Sequence, residues 1–88
     1  MEGLTEGRIV HYVMPGGEHR PAIIVNVWET ADCEGYANLQ VFTDSNNDTF
    51  NKKAGVEDAD IRKGIWWRTS ICYSETKEVN TWHWIEPA

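Results

Sequence analysis

"ANLQVFT" at residues 37–43 sets Leu39 and Val41 against Asn38, Gln40 and Phe42. Side chains that alternate with period two stand on opposite faces of a strand, so this run reads as β with a polar stripe on one face. The neighbouring runs repeat the pattern. Upstream, "AIIVNVW" at 22–28 sets Ile23, Val25 and Val27 against Ile24, Asn26 and Trp28, and "RIVHYVM" at 8–14 sets Ile9, His11 and Val13 against Val10, Tyr12 and Met14. "PGGEHRP" punctuates the two as a turn. Downstream, "IWWRTSICY" at 65–73 and "TWHWIE" at 81–86 read as the fourth and fifth strands. The expectation is an all-β fold, a small five-stranded antiparallel SH3-like barrel forming a single domain over residues 1–88. Its third loop, 44–64, is long, polar and Asx-rich, with one helical turn expected in "VEDADIR". A loop of that length is expected either to carry function or to be disordered.

Several of these strands are apolar on both faces. A barrel buries only one, which leaves Trp28, Phe42 and Trp66 for a partner, a ligand or solvent and predicts a homo-oligomer, with a dimer the commonest form. Five Trp, three Tyr and two Phe in 88 residues also compensate for a thin core, since each buried large aromatic removes about 150–250 Å² from water. Strict alternation places Trp82 and Trp84 of the closing "TWHW" on one face. Depth then separates them, with Trp82 in the core and Trp84 near the rim.

The net charge is −6, and residues 1–44 hold two arginines against seven acidic residues. Without a Lys/Arg stripe to neutralise phosphates, nucleic-acid binding is not expected. "MEGLTEGRIV" has neither the basic start nor the apolar run of a signal peptide, and no stretch approaches the roughly 20 apolar residues of a membrane span. Cys33 and Cys72 lack CxxC spacing and read as free thiols in a cytoplasmic chain.

Four segments, "HRPAIIVNVW", "NLQVFTDSNND", "WRTSICYSE" and "TWHW", taken together resemble a family of small tailed-bacteriophage proteins that often read RPA-(I/V)-V-x-x-VW, NL-x-VF-x-D-x-x-ND and a terminal WHW. The resemblance runs from about residue 10 to 86. One departure is Asp44-Ser45, where the family pattern has Asp-Gly, followed here by a longer loop. The resemblance implies phage origin, hence the host cytoplasm, and implies no activity.

In an up-and-down meander the first and third loops share one end of the barrel, and the end of the fifth strand should reach it too. That gathers His19, Arg20, Asp44, Asn47, Asp48, Trp66, Trp67 and Trp84 as a candidate ligand-binding set. A Trp can stack a flat heteroaromatic. Arg20 can grip a phosphate or carboxylate through its fork. The Asx side chains can bond a base edge or ribose. The plainer reading has Arg20 paired with a loop carboxylate and the Asx residues shaping turns. His11, His19 and His83 lack HxH or HExxH spacing, so no metal is expected. "DSNND" fails as a calcium loop because Thr49 stands where Gly is needed. Cys72 with His83 is the only pair worth naming for nucleophilic catalysis, and it lacks an orienting group.

The reading is therefore a non-catalytic phage accessory protein without cofactor. It would sequester a small nucleotide-like ligand between subunits and so counter host defence signalling. The alternative is a protein-interaction module that inhibits a host protein or serves as a minor phage adaptor, its acidic balance suiting a basic partner.

Overall fold

A computed structural model describes residues 1–49 and 58–86. Five strands form one antiparallel sheet in the order β4-β3-β2-β1-β5, curled into a half-barrel with little helix. They are β1 (Ile9–Val13), β2 (His19–Trp28), β3 (Tyr36–Phe42), β4 (Ile65–Cys72) and β5 (Trp82–His83). A 3-10 turn, Ser45–Thr49, and the short helix α1, Asp58–Arg62, lie between β3 and β4. The helical turn expected in "VEDADIR" is α1, and residues 50–57 of that loop fall outside the described residues. No helix among the described residues is long and apolar enough to cross a membrane.

The strands form where the alternation places them, with differences at their ends. β2 begins at His19, inside the segment read as a turn, and the real turn is shorter. Gly17, at φ 97°, donates its N–H to Met14 O at 2.8 Å, and Met14 N–H bonds Glu18 O at 2.7 Å, closing the β1–β2 hairpin. The positive φ favours Gly, which has no Cβ to clash there. Pro21 is tolerated in β2 because the ladder to β3 starts only at Ala22.

Val10 and Tyr12 of β1, Ala22 and Ile24 of β2, and Leu39 and Val41 of β3 all face the concave side and are buried. The alternation then breaks twice, each time at an extra residue. In β2, Ile24 pairs with Leu39 but Asn26 pairs with Asn38, so Val25 bulges out and Val27 turns inward to pack on the core. In β4, Arg68 pairs with Leu39 but Ile71 pairs with Ala37. Ser70 sits in that bulge at φ 54° and donates its N–H to Asn38 Oδ1 at 3.0 Å. Neither bulge is visible in a strict period-two reading.

Two further expectations are corrected. Trp66, placed on the outer face by the sequence, pairs with buried Val41 and faces the core. Cys33 and Cys72, read as free thiols, form a disulfide with Cα atoms 6.2 Å apart, joining the β2–β3 loop to the end of β4. Cys72 therefore has no free sulfur to act as a nucleophile beside His83.

The half-barrel's open seam, between β4 and the β1–β5 pair, is spanned by side chains. Trp82 is fully buried there, with its ring against Tyr73 at 5.1 Å and its Nε1 donating to Gly35 O at 2.9 Å. A Cβ on Gly35 would stand 3.1 Å from the Trp82 ring, so the glycine lets the ring close against backbone. Arg68 donates from Nε to Tyr12 Oη at 3.1 Å, and Tyr12 in turn donates to Asn80 Oδ1 at 2.6 Å. The Arg68 guanidinium also lies over the Trp66 ring, 4.4 Å from its centroid. Burial raises the Tyr12 pKa and keeps the phenol protonated, despite the opposing pull of Arg68.

Candidate functional site

Four of the eight residues expected to bind ligand come together, and they bind one another. Asp48, only 6% exposed, accepts from Arg20 Nε at 2.8 Å, from Arg20 Nη2 at 2.5 Å, and from the Asp44 N–H at 2.6 Å. Asn47 closes the same turn, donating its N–H to Asp44 O at 3.0 Å and its side-chain amide to Asp44 Oδ2 at 3.1 Å. The hydrogen bonds from Arg20 hold the Asp48 carboxyl below its usual pKa, and the same contact raises that of Arg20. The fork an anionic ligand would need is thus filled from within, and Arg20 fastens the third loop to β2.

The other four scatter. Trp66 belongs to the core. Trp67, the next residue, faces outward and is 45% exposed. Trp84 does not reach the first and third loops. β5 runs antiparallel to β1, pairing His11 with His83 and Tyr12 with Trp82, so the chain after it runs toward the start of β1. There Trp84 lies under the Arg8 guanidinium at 5.2 Å and edge-on to Trp82 at 5.1 Å. A simple meander would run the fifth strand parallel to β1. The fourth loop instead brings the chain back so that Tyr73 and Trp82 bridge in parallel.

His19 joins a group that sequence spacing did not reveal. His11 on β1, His19 at the head of β2, His83 on β5 and Glu86 just beyond it bring one ligand atom each to within 4.8 Å of one another. The imidazoles meet edge to face, with centroids 6.2 Å apart for His11–His19, 5.6 Å for His11–His83 and 4.8 Å for His19–His83. Glu86 Oε1 lies 3.6 Å from His11 Nδ1 and 3.8 Å from Lys77 Nζ, and it also makes an ion-pair contact with His83 Nε2. His83 is 2% exposed, yet its Nδ1 has no hydrogen-bond partner among the described residues, and only the exposed Glu86 carboxylate meets its Nε2. Burial lowers the pKa of His83 and favours the neutral imidazole, with Glu86 pulling the other way. Register is the signal that could have found this group. His11 and Tyr12 alternate on β1 as His83 and Trp82 do on β5, so pairing the two aromatics inward pairs the two histidines outward.

The same convex face carries an uncharged row. Ile9, Ile23, Gln40 and Trp67 are successive partners across β1, β2, β3 and β4, and Phe42 pairs with Ile65 beside them. Ile9, Phe42, Ile65 and Trp67 are all exposed. Gln40, near the centre, has its Oε1 buried without a donor among the described residues.

No protein-family model, curated protein or solved structure matches the chain.

Proposed function

We propose that the chain is a non-catalytic accessory module of tailed-bacteriophage type, an SH3-like barrel that works by binding and does so as a homodimer. The observation that carries this reading is the uncharged convex row Ile9–Ile23–Gln40–Trp67 with Phe42 and Ile65 beside it. Exposed apolar side chains in contiguous register are the usual mark of a docking surface. A second copy is the occupant that suits this one. Each chain carries a net charge of −6, and a row without charges lets two such chains meet there with no like charges opposed. A twofold axis near Gln40 would also bring the amide of one copy to the unsatisfied oxygen of the other.

What the dimer captures is proposed to be a protein with a basic surface, for which the acidic balance is suited. A nucleotide-like ligand finds less support, because Asp48 already occupies the Arg20 fork. Sequence expects the host cytoplasm as the place of action. The Cys33–Cys72 disulfide is of a kind more at home in oxidising compartments or on virion surfaces. Trapping the thiols in freshly opened infected cells distinguishes these locations.

Sedimentation equilibrium tests the central reading. The wild type should sediment as a dimer and Trp67→Ser as a folded monomer. A wild type that stays monomeric at high concentration overturns it. Titration with a panel of nucleotides runs alongside, and binding that disappears in Arg20→Ala would restore the ligand reading.

A further inference from the structure

A histidine held in a core purely for structure has its ring nitrogens bonded to neighbours, because a buried polar atom without a partner costs about 1–3 kcal/mol. The group formed by His11, His19, His83 and Glu86 departs from this. Three imidazoles face one another with no hydrogen bond among them. His83, 2% exposed, has its Nδ1 buried without a hydrogen-bond partner among the described residues, and a single carboxylate oxygen, Glu86 Oε1, meets its Nε2 and lies 3.6 Å from His11 Nδ1. Several lone pairs converging on one point, with a carboxylate beside them, describe the surroundings of a cation.

We infer that His11, His19, His83 and Glu86 form a binding site for a divalent first-row transition ion, Zn²⁺ foremost. The donor set selects the metal. Three imidazole nitrogens and one carboxylate oxygen suit Zn²⁺ and its neighbours, whereas Ca²⁺ and Mg²⁺ call for six or more oxygen ligands. Four protein ligands complete a tetrahedron, so the site is structural and leaves no position for substrate.

Around such an ion, with bonds of about 2.0–2.1 Å, neighbouring ligand atoms stand roughly 3.3 Å apart. Here they lie within 4.8 Å of one another, so the group contracts modestly on binding. Its members divide that task. His11 and His83 are fixed opposite each other by the β1–β5 register. His19 and Glu86 are exposed and have room to swing inward.

The ion would join β1, β2 and the chain beyond β5. β5 is only two residues long, too short to hold that segment by its ladder alone. Metal binding would thus add to the stability of the β5 region. Lys77, which also reaches Glu86, would give up that contact.

The test uses the full untagged chain, stripped with a chelator and then titrated with ZnCl₂ against a chromophoric competitor. The expected result is one Zn²⁺ per chain and a higher melting temperature, with Mg²⁺ and Ca²⁺ ineffective. Co²⁺ should give the intense visible absorption of a tetrahedral site. His19→Ala and Glu86→Gln change exposed side chains and should each weaken Zn²⁺ binding at least about tenfold, since even outer-shell changes cost that much. Lys77→Ala should bind as the wild type does. Wild-type binding no tighter than that of His19→Ala overturns the inference. So does a pale octahedral Co²⁺ spectrum, or a stoichiometry of half a metal per chain.

Discussion

Residues Tyr12 and Trp82 face each other across β1 and β5, and so do His11 and His83, one position along. The first pair points into the half-barrel and the second points out. On the inside every polar atom of the pair is engaged. Tyr12 Oη lies between Arg68 and Asn80, and Trp82 Nε1 bonds Gly35 O. On the outside, at the same junction, His83 Nδ1 has no hydrogen-bond partner among the described residues, and His83 Nε2 and His11 Nδ1 share one exposed carboxylate oxygen, Glu86 Oε1. The contrast separates architecture from site. Side chains that hold a fold together satisfy their polar atoms within it, and side chains that serve something else leave them open. The apolar surface divides the same way, with Trp66 buried in the core and its neighbour Trp67 exposed on the convex face.

The comparison is broken most directly from the inside. Trp82→Ala empties the fully buried seam and is expected to cost about 3–5 kcal/mol in urea unfolding. Half-buried Trp84→Ala should cost clearly less, and equal losses would mean that depth does not distinguish the closing tryptophans. Cys72→Ser comes next. The disulfide closes a separation of 39 residues, and its removal is expected to lower stability by about 2–4 kcal/mol, read from the same urea midpoint. An unchanged midpoint would show that the hydrogen bonds of the seam suffice without it.

Arg20→Ala sharpens the comparison, because it concerns a cluster that sequence assigned to the site and structure assigns to the scaffold. It leaves the Asp48 carboxylate buried and without its cation, at an expected cost of about 1–3 kcal/mol. The pH dependence carries the sign. The folded-state pKa of Asp48 is lowered by Arg20. Its contribution is therefore complete above the unfolded value of about 3.9 and is lost as pH falls through the lower folded value. Urea midpoints from neutral pH to below pH 3 should fall more steeply for the wild type than for the variant. Parallel curves would remove Asp48 from the scaffold. The smallest expected effect lies outside: Trp67→Ser should alter stability by no more than about 0.5 kcal/mol while abolishing self-association. A loss as large as that of Trp82→Ala would make the convex face architecture as well.

Period-two alternation is enough to find five strands and the all-β class, and position along the last strand separates Trp82 from Trp84 by depth. The alternation fails where the backbone inserts a residue. The bulges at Val25 and Ser70 change which side chains face inward, and nothing in "IIVNV" or "RTSIC" marks them. The site was less legible, for a related reason. Loop order places Arg20, Asp44, Asn47 and Asp48 near one another, but their mutual satisfaction depends on distances that loop order does not supply. His11, His19 and His83 are separated by intervals with no motif value, and they meet only through the direction of β5. The count of turns in a meander runs the fifth strand parallel to β1, and the fourth loop reverses it. The same limit applies to Cys33 and Cys72, whose pairing follows from the curl of the sheet rather than from their spacing.

The pairing of β5 with β1 also sets an order of events in time. The hairpins β1–β2 and β2–β3 close over short stretches of chain and need nothing from the last strand. The Tyr12–Asn80 bond joins residues 68 apart in sequence, so its contacts form only after a long loop has closed, which is the slow kind of step in folding. The most completely buried tryptophan is thus expected to arrive last. Until it docks, the carbonyl of Gly35 is open to water and the outer edge of β1 is unpaired. Contacts made after the rate-limiting barrier govern how fast a protein comes apart, while leaving its folding rate almost unchanged. Trp82 should therefore act as a latch: its loss should raise the unfolding rate and leave the folding limb of the chevron where it was.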